Sequence, residues 1–138
     1  MTKVSEPSVI DDLAQRYWQL EMAGDIEGVV ACYAQDAELH LPGGDVRRGH
    51  DAIRAFYEAS QADYPTRTVT IVDRVHDAAG RAALVWEAQL QAPDGSMYLL
   101  RGINVVTVIE GRFQHLSAAY PSPRPATAGG LTQRETER

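Results

Sequence analysis

Residues 16–37 have the sequence RYWQLEMAGDIEGVVACYAQDA, whose pattern predicts two helices separated by a tight break. Apolar residues that begin upstream and continue into this stretch recur at spacings of three and four, the period of an amphipathic helix: Ile10, Leu13, Tyr17 and Leu20. Gly24 is typical of the residue after a helix end, because glycine adopts a left-handed backbone without steric cost. Asp25 is a good N-cap for the second, shorter helix.

A third helix and a series of strands follow. Residues 37–41 predict a short strand that ends at Pro42-Gly43-Gly44, and Asp51 is expected to cap the third helix. Four further segments are typical of strands: residues 66–75, 82–91, 97–109 and 112–120. Three helices followed by a run of antiparallel strands predict an α+β domain over residues 1–120. Residues 121–138, rich in proline and polar residues, predict a flexible C-terminal tail.

The composition narrows the class of protein. The 138 residues carry a formal net charge of −6, with 44% hydrophobic and 23% charged residues, as suits one globular domain. An acidic balance argues against a nucleic-acid partner, and the single cysteine, Cys32, excludes an internal disulfide and a thiolate zinc site. No apolar run is long enough to span a bilayer or to serve as a signal peptide. We therefore expect a cytoplasmic protein, with no membrane partner, that acts on a small molecule.

Several segments, taken together and in order, resemble a known family. They are RYWQL at 16–20, GDIE at 24–27, CYAQDA at 32–37, RGHDAI at 48–53 and Phe56-Tyr57. This set is similar to the ketosteroid-isomerase and SnoaL-like branch of the nuclear-transport-factor-2-like superfamily, over residues 10–120. The resemblance implies a cone-shaped α+β barrel, in which three N-terminal helices close a curved antiparallel sheet around an apolar pocket. It also implies a homodimer.

The resemblance assigns roles to three tyrosines and one asparagine. Tyr17, Tyr33 and Tyr57 match tyrosines that form a hydrogen-bonded chain of phenols, which polarises its terminal member. Tyr17 is the expected catalytic donor to a substrate carbonyl, and Tyr33 and Tyr57 are expected to support it. Asn104 matches the second donor, and an amide donates without a shifted pKa. The alternative is that the phenols merely pack together and that the backbone satisfies the Asn104 amide.

The family's general base is missing from its expected position. The isomerases carry a catalytic Asp before the proline that ends the first strand, and here Leu41 precedes Pro42. His40 is a possible base, but it should face away from the pocket if Leu41 faces in, because successive strand residues alternate. Glu38, Asp45 and Asp63 are weaker candidates. We therefore expect a pocket with almost no charge, and neither a metal site nor a cofactor.

The other expected substrate-binding residues are mostly apolar or share the inward parity of their strands: Trp18, Leu41, Leu84, Trp86, Ala88, Leu100, Gly102, Leu116 and Tyr120. Such a pocket with two donors suits a cyclase or isomerase, and the resemblance implies polyketide-like natural-product metabolism, including antibiotic biosynthesis. It would orient an apolar carbonyl substrate and could promote a cycloaddition-type ring closure without a base. The alternatives are a steroid Δ-isomerase with a displaced base, a binding module for apolar ketones, and a transport or assembly factor.

Overall fold

Three helices and seven strands make up the described part of the chain, residues 3–126 of a computed structural model. The helices are α1 (Pro7–Met22), α2 (Ile26–Ala31) and α3 (Gly49–Asp63). The strands, in chain order, are β1 (Tyr33–His40), β2 (Val46–Arg48), β3 (Thr66–His76), β4 (Arg81–Gln91), β5 (Met97–Ile109), β6 (Arg112–Ala119) and β7 (Arg124–Pro125). No helix within residues 3–126 has both the length and the apolar character that crossing a membrane requires.

The strands form one mixed sheet in the order β2-β1-β6-β5-β4-β3, with β7 paired to β5. The pairings are antiparallel except for β1 with β6, which is parallel. The expectation of a purely antiparallel sheet is wrong at this pair. Parallel neighbours need a long connection, and here α3 and four strands lie between β1 and β6 along the chain.

The sheet is curved and does not close on itself. Its register shifts between Ile71 and Asp73 of β3 and between Thr107 and Val108 of β5, and such bulges bend a strand. Helix α1 contacts β3, and α3 contacts β1. The predicted α+β architecture, with three helices against a curved sheet, is confirmed.

The two residues between α1 and α2, Gly24 and Asp25, adopt the conformation and the capping role that the sequence predicts. Gly24 has a φ of +74°, and the Asp25 side chain accepts a hydrogen bond from the Gly28 amide at 2.9 Å. Helix α3 begins at Gly49, two residues before the expected cap. Asp51 instead lies in the first turn, where it accepts a hydrogen bond from Arg54 at 2.9 Å.

The chain does not leave the domain at residue 120. Arg124 pairs with Leu99 and Pro125 with Tyr98, and the Ala126 amide donates to the Met97 carbonyl at 2.8 Å. Residues 121–126 therefore continue the fold beyond the predicted boundary. The remainder of the predicted flexible tail, residues 127–138, lies outside the described residues.

Candidate functional site

A cavity of about 290 Å³ lies between α1, α3 and the sheet. Its lining is largely apolar, and it includes seven of the expected substrate-binding residues: Trp18, Leu41, Trp86, Ala88, Leu100, Leu116 and Tyr120. Ligand pockets have typical volumes of about 300–1,000 Å³, so this cavity suits a small apolar molecule.

Two residues expected in the pocket do not line it. Leu84 is fully buried in the hydrophobic core. Gly102 is covered by Trp86, its partner across the β4–β5 ladder: a Cβ at Gly102 would lie only 2.4 Å from the indole Cζ2. The absence of a side chain at Gly102 therefore lets the Trp86 ring lie flat enough to form a wall of the cavity.

The three tyrosines form one chain of phenols with Tyr57 at its centre. The Tyr57 hydroxyl lies 2.6 Å from that of Tyr17 and 2.6 Å from that of Tyr33. Tyr17 and Tyr57 line the cavity, whereas Tyr33 lies behind them and is completely buried. Burial raises the pKa of all three phenols, so they remain protonated at neutral pH. If Tyr33 donates to Tyr57 and Tyr57 to Tyr17, the Tyr17 proton is left for a ligand.

Asn104 also lines the cavity, and a tryptophan orients its amide. The Trp86 indole Nε1 lies 3.0 Å from Asn104 Oδ1. An indole nitrogen is only a donor, so the amide oxygen must face it. The Asn104 nitrogen makes no hydrogen bond with any residue that the structure describes. It is therefore available as a donor to a bound molecule.

Leu41, which follows the last residue of β1, lines the cavity, and His40 does not. His40 lies 2.9 Å from Glu38, and its ring is 4.4 Å from that of His115. Glu38 also accepts a hydrogen bond from Arg48 at 2.9 Å. Because these residues lie outside the cavity, neither His40 nor Glu38 can serve as its base.

This outer cluster is where the described residues could hold a metal ion. One ligand atom from each of Glu38, His40 and His115 lies within 4.8 Å of the others. The cluster is separate from the cavity lining, so it does not supply chemistry to a molecule bound there. Of the weaker candidates, Asp45 pairs with Arg47 outside the cavity, whereas Asp63 lies in the lining and is exposed.

Two charged residues that the sequence motifs did not indicate also line the cavity, Glu21 and Arg67. Glu21 Oε2 lies 3.7 Å from Arg67 Nη1, and the side chains are only 14% and 8% exposed. The expectation of a pocket with almost no charge is therefore wrong. Position 21 follows Tyr17 by four residues and Trp18 by three, so helical geometry places it on the same face as both. That spacing is the signal that could have identified it.

The surroundings of Glu21 change its proton affinity. Burial raises the pKa of its carboxyl, while the charge of Arg67 and the Tyr17 hydroxyl act in the opposite direction. The influence is mutual. Burial is the largest cause of the raised pKa of Tyr17 and of Tyr120, and the negative charge of Glu21 is the second largest. The cavity thus combines a carboxylate of raised pKa with phenols that remain protonated.

Known proteins share this fold. A sequence model of the SnoaL-like domain family matches residues 14–116. The Δ5-3-ketosteroid isomerase from Mycobacterium sp. is 21% identical, with a TM-score of 0.75 over 86% of this chain and 98% of that one.

Two further structures are similar. SalBIII, an epoxide hydrolase/cyclase-like enzyme in pyran ring formation in the polyether salinomycin, is 17% identical, with a TM-score of 0.72 over 81% of this chain and 90% of that one. An NTF2-like protein of unknown function from Burkholderia pseudomallei is 17% identical, with a TM-score of 0.71 over 80% of this chain and 88% of that one. At these identities the likeness shows the fold alone. Because the family model spans most of the chain, the protein belongs to the SnoaL-like domain family.

Proposed function

We propose that this protein is a cofactor-independent cyclase or isomerase that acts on an apolar carbonyl compound of the polyketide type. The observation that carries the proposal is the convergence of two oriented donors on one apolar cavity. Tyr17 stands at the end of a chain of phenols, and Asn104 is turned by its hydrogen bond from Trp86. Both line the cavity.

The donors would act on the carbonyl oxygen. As a carbonyl becomes an enolate or an alkoxide, negative charge develops on that oxygen, and donors already in place stabilise it without reorganisation. Removing one such donor typically costs about 10²–10³ in rate. The neighbouring phenols Tyr57 and Tyr33 strengthen Tyr17, because each hydrogen bond in a chain polarises the next.

The apolar lining would orient the substrate. Trp86, Leu100 and Leu116 offer no strong hydrogen-bonding group to the cavity apart from the indole N–H that Asn104 already accepts. Such walls can hold a flexible apolar chain in a folded, reactive conformer. Orientation of this kind contributes up to about 7–11 kcal/mol in favourable cases. The ketosteroid isomerase and SalBIII, which share the fold, support this class of reaction.

Two substrates test the proposal. One is a β,γ-unsaturated 3-ketosteroid, whose conversion to the conjugated isomer is followed by ultraviolet absorbance. The other is an aromatic poly-β-ketone ester, whose ring closure is followed by mass-resolved chromatography and NMR. We expect acceleration of at least one reaction over buffer, and a loss of about 10²–10³ for each donor removed by Tyr17→Phe and Asn104→Leu.

A matched control is Glu58→Gln, on the exposed face of α3 and outside the cavity lining, which should leave the rate unchanged. Tight binding of both compounds with no product over hours would instead identify a binding module. Equal rates in the wild type and in the Tyr17→Phe/Asn104→Leu double variant would contradict the donor mechanism.

A further inference from the structure

We infer that Glu21 is the proton-transfer residue of the cavity, acting on the carbon next to the bound carbonyl, and that Arg67 positions it. The inference rests on the proposed carbonyl site and adds to it the base that Leu41 cannot supply. It also narrows the reaction to one that passes through an enolate.

The carboxylate is placed beside the carbonyl donors. Glu21 lies one helical turn after Tyr17 on α1, and both side chains line the cavity. A carbonyl oxygen bound at Tyr17 therefore brings its neighbouring carbon atoms close to Glu21. The other carboxylate of the lining, Asp63, is exposed at the end of α3, so Glu21 is the less exposed carboxylate of the described lining.

The carboxylate is also free to accept a proton. None of the side-chain hydrogen bonds of 3.5 Å or less within residues 3–126 ends on Glu21, although the Tyr17 hydroxyl lies near enough to lower the pKa of its carboxyl and the side chain is only 14% exposed. A buried carboxylate with a purely structural role is normally held by short hydrogen bonds, because leaving it unpaired is costly. Its nearest charge is Arg67, and a separation of 3.7 Å stabilises the anion without occupying it fully.

Arg67 is held rigidly from the other side. Its Nη2 donates to the Ser60 carbonyl at 2.8 Å, to the Ser60 hydroxyl at 3.0 Å and to the Tyr64 carbonyl at 3.0 Å. These acceptors lie at the C-terminal end of α3, where a cation is favoured. The guanidinium therefore keeps its place whether Glu21 is charged or neutral, as a positioning residue requires.

The proton transfer can be written completely. Glu21 removes a proton from the α-carbon; the C–H electron pair forms the enolate C=C bond, and the carbonyl π pair moves to the oxygen held by Tyr17 and Asn104. In an isomerisation, Glu21 returns the proton to the γ-carbon as the enolate re-forms the ketone. In a ring closure, the enolate carbon attacks a second carbonyl, and Glu21 protonates the resulting alkoxide.

The charge balance favours this arrangement. As Glu21 becomes neutral, the substrate oxygen becomes negative, so the net charge of the cavity is unchanged throughout. Arg67 remains nearby in both states. The titratable groups that influence the pKa of Glu21 are Arg67 on β3 and Tyr17 on the same helix, and the charge of Glu21 in turn raises the pKa of four phenols: Tyr17, Tyr33, Tyr57 and Tyr120.

Hydrogen–deuterium exchange tests the inference without the natural substrate. The probes are 2-tetralone and a β,γ-unsaturated 3-ketosteroid in D₂O, with loss of the α-proton signals followed by NMR and binding measured by protein chemical shifts. We expect the wild type to accelerate exchange in a bound probe and Glu21→Gln to lose about 100-fold or more of that acceleration, since general-base catalysis contributes about 10²–10⁴-fold. Glu21→Asp should retain part of it, and Glu58→Gln all of it.

The outcomes distinguish failure of the role of Glu21 from failure of the proposed carbonyl site. Binding without accelerated exchange, or equal exchange in Glu21→Gln, would overturn the role of Glu21 and leave the carbonyl site standing. Failure of both probes to bind would overturn the carbonyl site as well.

The pH dependence of the exchange rate distinguishes a positioning role of Arg67 from a merely structural one. The exchange rate should rise with pH as Glu21 ionises. In Arg67→Gln this rise should occur at higher pH, because the Glu21 anion loses its nearest positive charge. A folded Arg67→Gln variant whose exchange rate rises at the same pH as in the wild type would contradict the positioning role of Arg67.

Discussion

Glu21 follows Tyr17 by one helical turn on α1, and both side chains line the same cavity. A phenol that donates to a carbonyl oxygen and a carboxylate that accepts a proton from carbon thus lie on one rigid element. Because a helix fixes the relative positions of residues four apart, this pair is set before any substrate binds. Preorganisation of this kind is what proton transfer at carbon requires.

The stability of the protein should depend on pH through Glu21. Burial raises the pKa of this carboxyl in the folded state, so the folded protein holds the proton more tightly than the unfolded chain. Stability from this group is present below the ordinary pKa of a glutamate and is lost as pH rises through the raised folded value. We therefore expect the melting temperature of Glu21→Gln, relative to that of the wild type, to increase with pH across this window. A difference that stays constant from pH 4 to pH 8, measured by calorimetry, would contradict the raised pKa.

The close approach of Trp86 to Gly102 should make Gly102→Ala disruptive. The added Cβ would lie 2.4 Å from the indole Cζ2 and 2.9 Å from the Ala119 carbonyl oxygen, and neither the ring nor the backbone yields easily. Overpacking of this kind costs about 1–3 kcal/mol. Moving the indole would also break its hydrogen bond to Asn104. We expect a lower denaturant midpoint together with weaker 2-tetralone binding, whereas Gly95→Ala in an open turn should affect stability only through its positive φ and should leave binding unchanged.

The position of Leu41 allows a test by relocation of the base. Leu41 lines the cavity, and the sequence resemblance aligns it with the catalytic Asp of the ketosteroid isomerases. In a Glu21→Gln background, Leu41→Asp should therefore restore α-proton exchange at least tenfold, despite some loss of stability from the added buried carboxyl. The matched control is Leu41→Asn, which has nearly the same shape but cannot accept the proton. Equal rates in the two double variants would show that position 41 does not face the reacting carbon.

Removal of a helix cap should affect stability and not binding. The Asp25 side chain accepts a hydrogen bond from the Gly28 amide, and α2 packs away from the lining of the main cavity. Loss of such a cap costs about 0.5–2 kcal/mol. Asp25→Ala should lower the unfolding free energy by about that amount and leave ketone affinity as in the wild type. A change in affinity would mean that α2 influences the position of Tyr57 or Glu21.

Much of the fold and part of the candidate site could be predicted from the sequence. The three helices and the four long strands were predictable from apolar periodicity and turn residues, because burial on one face sets both signals. Short strands β2 and β7 were not, since they are held by pairing to β1 and β5 and have little pattern of their own. The parallel contact of β1 with β6 joins distant segments, so no local signal records it.

The resemblance assigned Tyr17 and Asn104 to the cavity and gave Tyr57 only a supporting role, and it did not indicate Glu21. A glutamate on an amphipathic helix ordinarily faces solvent, and composition alone does not distinguish it from its exposed neighbours. Arg67 was equally hard to identify, because it is the second residue of a strand whose other side chains are largely exposed. Only the tertiary packing of α1 against β3 brings the two charges together.

The central claim is that Tyr17 and Asn104 polarise one carbonyl oxygen, and the vibration of that carbonyl reports it most directly. The measurement is the infrared C=O stretching frequency of carbonyl-labelled 2-tetralone bound to the protein, obtained as an isotope difference spectrum. Donation from two groups weakens the C=O bond, so we predict a stretching frequency below that of the ketone in water. Tyr17→Phe and Asn104→Leu should each raise this frequency, because each removes one donor. A bound carbonyl that vibrates as it does in an apolar solvent, and that is unchanged by both substitutions, would contradict the account.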